Sequence, residues 1–247
     1  MSPVSPEKQE ELVLVEDHGD WAVLTINRPD KRNAMNRAAQ QRFREALVEV
    51  RQKRVVVLTG NGPAFCSGID LREAADPELD GSRSSSELPS WDQCNEDIRR
   101  HPAVFIAAVN GFALGGGSTL IHNCELAIAA ESATIGTPEV GFGEWPVLSG
   151  PSLIDRVLPK HAAQLIFLAE RVDAATAHRM GIVNEVVPDA DLLRRAHEMA
   201  ERIAGFDAVT LDWSKKAFRQ MISMSWEESM TLTHHIASVA SANAARS

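Results

Sequence analysis

The stretch Val104-Phe-Ile-Ala-Ala-Val-Asn-Gly111-Phe-Ala-Leu-Gly115-Gly-Gly-Ser-Thr119 restricts this chain more than any other. An apolar run of strand length, without a polar side chain, suits a strand buried on both faces. Glycines then follow where the backbone must turn left-handed or come close to another group. A helix that begins at Gly116 leaves unpaired N–H groups at its start, reinforced by the helix dipole. Such an end can hold an anion, or an oxygen that becomes one during a reaction. A passage of the same kind lies upstream, where Arg54-Val-Val-Val-Leu58-Thr-Gly60 runs into Asn61-Gly-Pro-Ala-Phe-Cys-Ser-Gly68-Ile-Asp70-Leu. There the N–H of Ile69 can face that of Gly116. Two donors from separate strand–loop units make an oxyanion hole; one alone would not. Glu139, in Gly136-Thr-Pro-Glu-Val-Gly-Phe-Gly143, adds a loop carboxylate amid apolar residues, twenty positions beyond Thr119.

Around these passages the pattern is α/β. Strands at Val55–Thr59, Val104–Val109 and Leu126–Ala130 alternate with helical spacing at Met35–Gln52, Glu96–Arg100 and Gly116–Asn123. That alternation predicts a mainly parallel core with function at the strand ends. Leu12–Val15 and Trp21–Ile26 read as strands paired across His18-Gly19-Asp20. Beyond Pro188 the chain reads as helices only: Ala190–Ala204, Ala208–Met221 and Trp226–Ala242. The expected division is therefore a core over 1–188 and a helical part over 189–247. The polar, proline-containing 1–11 is expected to be disordered, and Asp76–Ser90, rich in serine, to be mobile.

A chain of 247 residues can bury one sizeable core. Its net charge of −9, from 25 basic and 34 acidic residues, argues against a nucleic-acid partner, which needs a basic face. Cys66, Cys94 and Cys124 lack metal-ligand spacing and read as reduced core thiols, with no metal expected. No apolar signal region and no run of membrane length is present, so a cytoplasmic protein without a membrane partner is expected.

The motifs resemble those of the crotonase superfamily, the enoyl-CoA hydratase and isomerase group that acts on CoA thioesters. Asn27-Arg-Pro-Asp-Lys-Arg-Asn33-Ala34-Met35 is similar to its N-R-P-x-x-x-N-A-(L/M) signature, and Ala64-Phe-Cys-Ser-Gly68-Ile-Asp70-Leu to its A-F-(C/S)-A-G-x-D-(L/I) loop. Ala108-Val-Asn-Gly111-Phe-Ala-Leu-Gly115-Gly-Gly117 is similar to A-x-(V/I)-N-G-x-A-x-G-G-G, and Pro138-Glu139-Val140 to P-E-(I/V). Arg179-Met-Gly181-Ile-Val-Asn-Glu-Val-Val-Pro188 follows in the family's order. The resemblance implies a ββα spiral core with a C-terminal helical trimerisation part, assembling as a homotrimer or hexamer. It implies that coenzyme A enters as part of an acyl-CoA substrate rather than as a cofactor. It places the N–H groups of Ile69 and Gly116 at the thioester oxygen. Ala64, Ser67, Gly68, Ile69, Asp70 and Leu71 would line the adenine, with Arg72, Lys31 and Arg32 near the CoA phosphates; solvated surface charge is the other reading of those three. Asp70 is expected to cap the helix that follows, and Glu125, where the family has aspartate, to be structural. Relatives carry further residues past the position of Ser247, so a shorter C-terminus is expected here.

The catalytic carboxylates depart from the pattern. Hydratases of the group carry one glutamate three residues after the middle glycine and another twenty further on. The second is Glu139, but the first is Thr119, whose hydroxyl neither ionises nor delivers a proton usefully near neutral pH. One water held between two carboxylates is thus excluded. Single-glutamate members are Δ3,Δ2-enoyl-CoA isomerases or hydroxycinnamoyl-CoA hydratase-lyases. Ser225-Trp226-Glu227 and the Gly115–Glu139 region look closer to the latter, yet the chain has no tyrosine to recognise an aryl hydroxyl; His234 or His235 could stand in. Trp145 and Leu148 are expected at the acyl pocket, and Glu144 reads as a second acid or a solvated side chain. A catalytically silent acyl-CoA binder remains the alternative, whereas a dinucleotide-binding oxidoreductase fails because Gly115-Gly-Gly117 lacks the required glycine spacing.

Overall fold

A computed structural model describes residues 11–74 and 91–244. The stretch expected to be mobile and nearly all of the polar N-terminus lie outside them. Two sheets are built by one repeated step. Strands β1 (Val13–Asp17), β2 (Trp21–Ile26), β3 (Val55–Gly60), β5 (Val104–Val109), β7 (Leu126–Ala130) and β10 (Glu185–Val187) form the large sheet in that spatial order. It is parallel except for the β1–β2 hairpin. After β3, β5 and β7 the chain enters a second sheet with a short strand: β4 (Ala64–Cys66), β6 (Phe112–Leu114) and β8 (Thr134–Gly136), closed by antiparallel β9 (Arg171–Asp173). Each turn thus gives one strand to each sheet before a helix returns the chain, which is the ββα spiral that the motifs implied. The second sheet was not legible in the sequence, because its strands have only three residues each.

The continuous apolar runs have a simple cause. Alternate residues leave opposite faces of a strand, and both faces of the large sheet are covered. Ala22, Leu24, Val56, Leu58, Phe105 and Ala107 enter one cluster, with α1 (Arg37–Glu49) and α3 (Trp91–Arg100). Trp21, Val23, Val55, Val57, Ile106 and Ile128 enter the other, beneath α8 (Leu192–Ala204). That helix presents Leu192, Ala196, Ala200 and Ala204 to the sheet at fourfold spacing. The helical part beginning at residue 189 is therefore joined to the core from its first helix.

The other helices of the described chain are α2 (Leu71–Ala74), α4 (Gly116–Asn123), α5 (Ser149–Ile154), α6 (Pro159–Leu168), α7 (Ala174–Arg179), α9 (Ala208–Met221) and α10 (Trp226–Ala244). Helix α9 is held by charge as well as packing. Lys215, 4% exposed, donates to the carbonyls of Ile98 and Ala103 at 3.1 and 2.7 Å and stands 3.4 Å from Glu125. Arg219 pairs with the other oxygen of Glu125, and the oxygen facing Lys215 also accepts from Phe105 N–H at 2.9 Å. Glu125 is thus the structural carboxylate expected of it, and its partners are cations of the C-terminal part.

Candidate active site

The signature Asn27–Met35 works as a clamp on the first donor loop. Asn33 is fully buried in a left-handed conformation (φ 55°). Its amide donates to Ala64 C=O at 2.6 Å and Asn61 C=O at 3.0 Å, and its oxygen accepts from Arg28 N–H. Met35 N–H donates to Gly68 C=O at 2.8 Å, while Asp70 N–H returns to Met35 C=O at 3.2 Å. Arg28 pairs with Asp70 at 3.2 Å. Asp70 also accepts from Arg72 N–H at 3.3 Å, so it caps α2 as expected and is tied to the signature besides. The Arg28 pairing was missed from sequence, since 42 residues separate the partners.

The two donor positions come together. Gly68 has φ +91°, open to glycine, and a Cβ there would stand 3.1 Å from Gly116 N. Gly115, at φ 54°, turns β6 into α4. Among the described residues neither Ile69 N–H nor Gly116 N–H donates to a protein acceptor. Gly117 permits the approach of the two units, because a Cβ on it would lie 1.9 Å from Cys66 C=O. Burial pushes the Cys66 thiol up to about 12, which leaves it inert beside this loop.

Glu139 stands against Gly115, the residue before Gly116. It opens a single 3-10 turn, Glu139–Phe142, and a Cβ on Gly115 would lie 3.1 Å from its Oε1. Ser149 O–H donates to that oxygen at 2.5 Å. The second oxygen, Oε2, is buried and without a hydrogen bond. The surroundings are therefore less apolar than the sequence suggests. Ser149 was not singled out, because a serine ten residues away carries no periodic signal. Thr119 is 2% exposed and turned toward its own helix, with Oγ1 3.5 Å from Gly115 C=O. Behind it His122 Nδ1 lies 3.1 Å from Ser152 Oγ, linking α4 to α5, and burial holds its pKa down at about 3.

The remaining expected residues flank this centre. Ala64 is buried, Ser67 half-buried and bonded through its N–H to Arg32 C=O at 3.1 Å. Ile69 and Leu71 are exposed, as are Lys31, Arg32 and Arg72. Trp145 is 53% exposed and rests against Gly150; Leu148 is half-buried against the core. Glu144 is exposed, with its N–H on Glu139 C=O. Among the described residues no group of three or more His, Cys, Asp or Glu could hold a metal ion, and no helix is long and apolar enough to cross a membrane.

A spiral core that brings the Gly68 loop to Gly116 and sets a carboxylate against Gly115 defines a class, and comparison with known proteins agrees. The family model for enoyl-CoA hydratase/isomerase matches residues 17–245. A probable enoyl-CoA hydratase of Rhizobium meliloti is 34% identical over 224 residues, 89% of this chain and 86% of that protein. The hydroxycinnamoyl-CoA hydratase-lyase of Pseudomonas fluorescens is 32% identical, over 87% of this chain and 81% of that one. Among solved structures, the enoyl-CoA hydratase of Bacillus anthracis superposes with a TM-score of 0.84 at 29% identity, covering 92% of this chain and 90% of the other. The chain belongs to the enoyl-CoA hydratase/isomerase family and has its crotonase fold.

Proposed function

We propose that this protein is an acyl-CoA enzyme in which Glu139 alone takes and returns the proton at C2 of the thioester. The electron pair of the C2–H bond moves into a C1–C2 double bond, and the carbonyl pair moves onto oxygen. The N–H groups of Ile69 and Gly116 then hold the enolate oxygen, an interaction worth roughly 3–4 kcal/mol per donor. One observation carries this reading: Glu139 is set against Gly115, next to Gly116, with one oxygen oriented by Ser149 and the other buried without a partner. Thr119, bonded to its own helix, leaves the site one carboxylate. Isomerisation of an enoyl-CoA double bond, or hydration coupled to cleavage, suits one base better than hydration between two. Lys31, Arg32 and Arg72 flank the loop that would receive the CoA phosphates. Exposed Phe206, Val209, Phe218 and Trp226 support self-association as a trimer or hexamer, which light scattering tests.

The deciding experiment is mass spectrometry of an acyl-CoA panel in deuterated water. Wild type is expected to exchange the C2 hydrogen, and Glu139→Gln to lower the rate about a thousandfold while CoA affinity is kept. Thr119→Glu should raise crotonyl-CoA hydration. A catalytically silent acyl-CoA binder is the second reading, favoured by Thr119 alone. It takes over if Glu139→Gln exchanges as fast as wild type.

A further inference from the structure

Trp91 opens α3 and is 5% exposed. Its Nε1–H is buried and has no acceptor among the described residues. An indole nitrogen only donates, and a buried donor left unpaired is rare unless a ligand or water completes it. The place of this one is specific. A Cβ on Gly116 would stand 2.6 Å from Nε1 and 3.3 Å from Cε2, so the nitrogen edge of the ring lies against the first residue of α4. Gly68 Cα would be 3.4 Å from the same Cβ. The indole nitrogen and the loop that carries Ile69 thus meet at the side-chain position of Gly116, and any side chain there would displace the indole nitrogen.

We propose that the Trp91 N–H is a third hydrogen-bond donor to the thioester oxygen, acting with the N–H groups of Ile69 and Gly116. The inference rests on the reading of this site as an acyl-CoA site and adds a residue to it. Its ligand needs no extra functional group, because the carbonyl oxygen has lone pairs for several donors and gains charge as Glu139 removes the C2 proton. A donor off the peptide backbone is also one that substitution can delete, unlike the other two.

The test is the infrared band of butyryl-CoA labelled with carbon-13 at its carbonyl, read on wild type and on Trp91→Phe. A second variant carries benzothienylalanine at position 91, which keeps the bicycle and lacks the N–H. Wild type should move the band to lower frequency than in free thioester. Both variants should return it part of the way, with C2 exchange slowed roughly 10- to 100-fold and affinity for CoA lacking an acyl group unchanged. A band identical to wild type in the benzothienyl variant overturns the proposal, whatever happens to affinity, because Trp91 then only packs or holds a water. If wild type takes up no labelled acyl-CoA, the underlying site reading has failed along with it, a result distinct from binding with an unmoved band.

Discussion

On the donor side of the site, the Ile69 loop and the start of α4 are held by backbone hydrogen bonds, a fully buried Asn33 and glycines whose missing side chains leave room for neighbouring carbonyls. On the carboxylate side, Glu139 stands on a 3-10 turn whose neighbours Phe142, Trp145 and Val147 are 74, 53 and 69% exposed. The donors are peptide groups, so the fold itself fixes them and tolerates little change. The carboxylate is a side chain on an open loop, oriented by one hydroxyl. On the proposed reading, stabilising a thioester enolate needs the first kind of construction. What separates one reaction from another can be set on the second.

Substitutions should expose that difference. The largest effect is expected from Gly117→Ala: its Cβ would sit 1.9 Å from Cys66 C=O, and such overpacking against backbone should cost about 3 kcal/mol or more. Denaturant melts would measure it; a loss under about 1 kcal/mol would mean the donor side is as pliable as the other.

Acid should act next, in part through His122 at the joint between the sides. Burial holds His122 at about 3 and His101 at about 4, so both are neutral in the folded chain near neutral pH. Unfolding frees them to bind protons below about 6.5. Stability is therefore full above that pH and falls as pH drops toward 4 and 3. At pH 5 each histidine should cost about 2 kcal/mol. Urea midpoints between pH 7 and 5 test the slope, and His122→Leu should remove about half of it.

Ser149→Ala should leave the fold intact but slow C2 exchange about tenfold, by loosening the Glu139 carboxylate. Unchanged exchange would show that the 3-10 turn alone orients it. Thr119→Val should do least. Its hydroxyl makes one long bond to its own helix, so stability should change by under about 1 kcal/mol and exchange by less than about twofold. A large loss of exchange would return Thr119 to the chemistry.

The sequence carried the spiral and the approach of the Gly68 loop to Gly116 because both are written locally. Apolar runs mark strands covered on two faces, as β3 and β5 are, and glycine at 68 and 115–117 marks a backbone that must turn or be approached. Glu139 was legible for a different reason: a lone carboxylate in an apolar loop is costly unless it is used. The three-residue strands of the second sheet were not legible, being too short to show a period. Nor were Arg28 with Asp70, Ser149 with Glu139, or Trp91 against Gly116. Each of these joins residues that no helical or strand spacing relates, and the first and last depend on where two spiral turns meet. Chain order determined which residues could donate or accept. Only the packed structure decided which donors were used within the protein and which, at Ile69, Gly116 and Trp91, were left without an acceptor among the described residues.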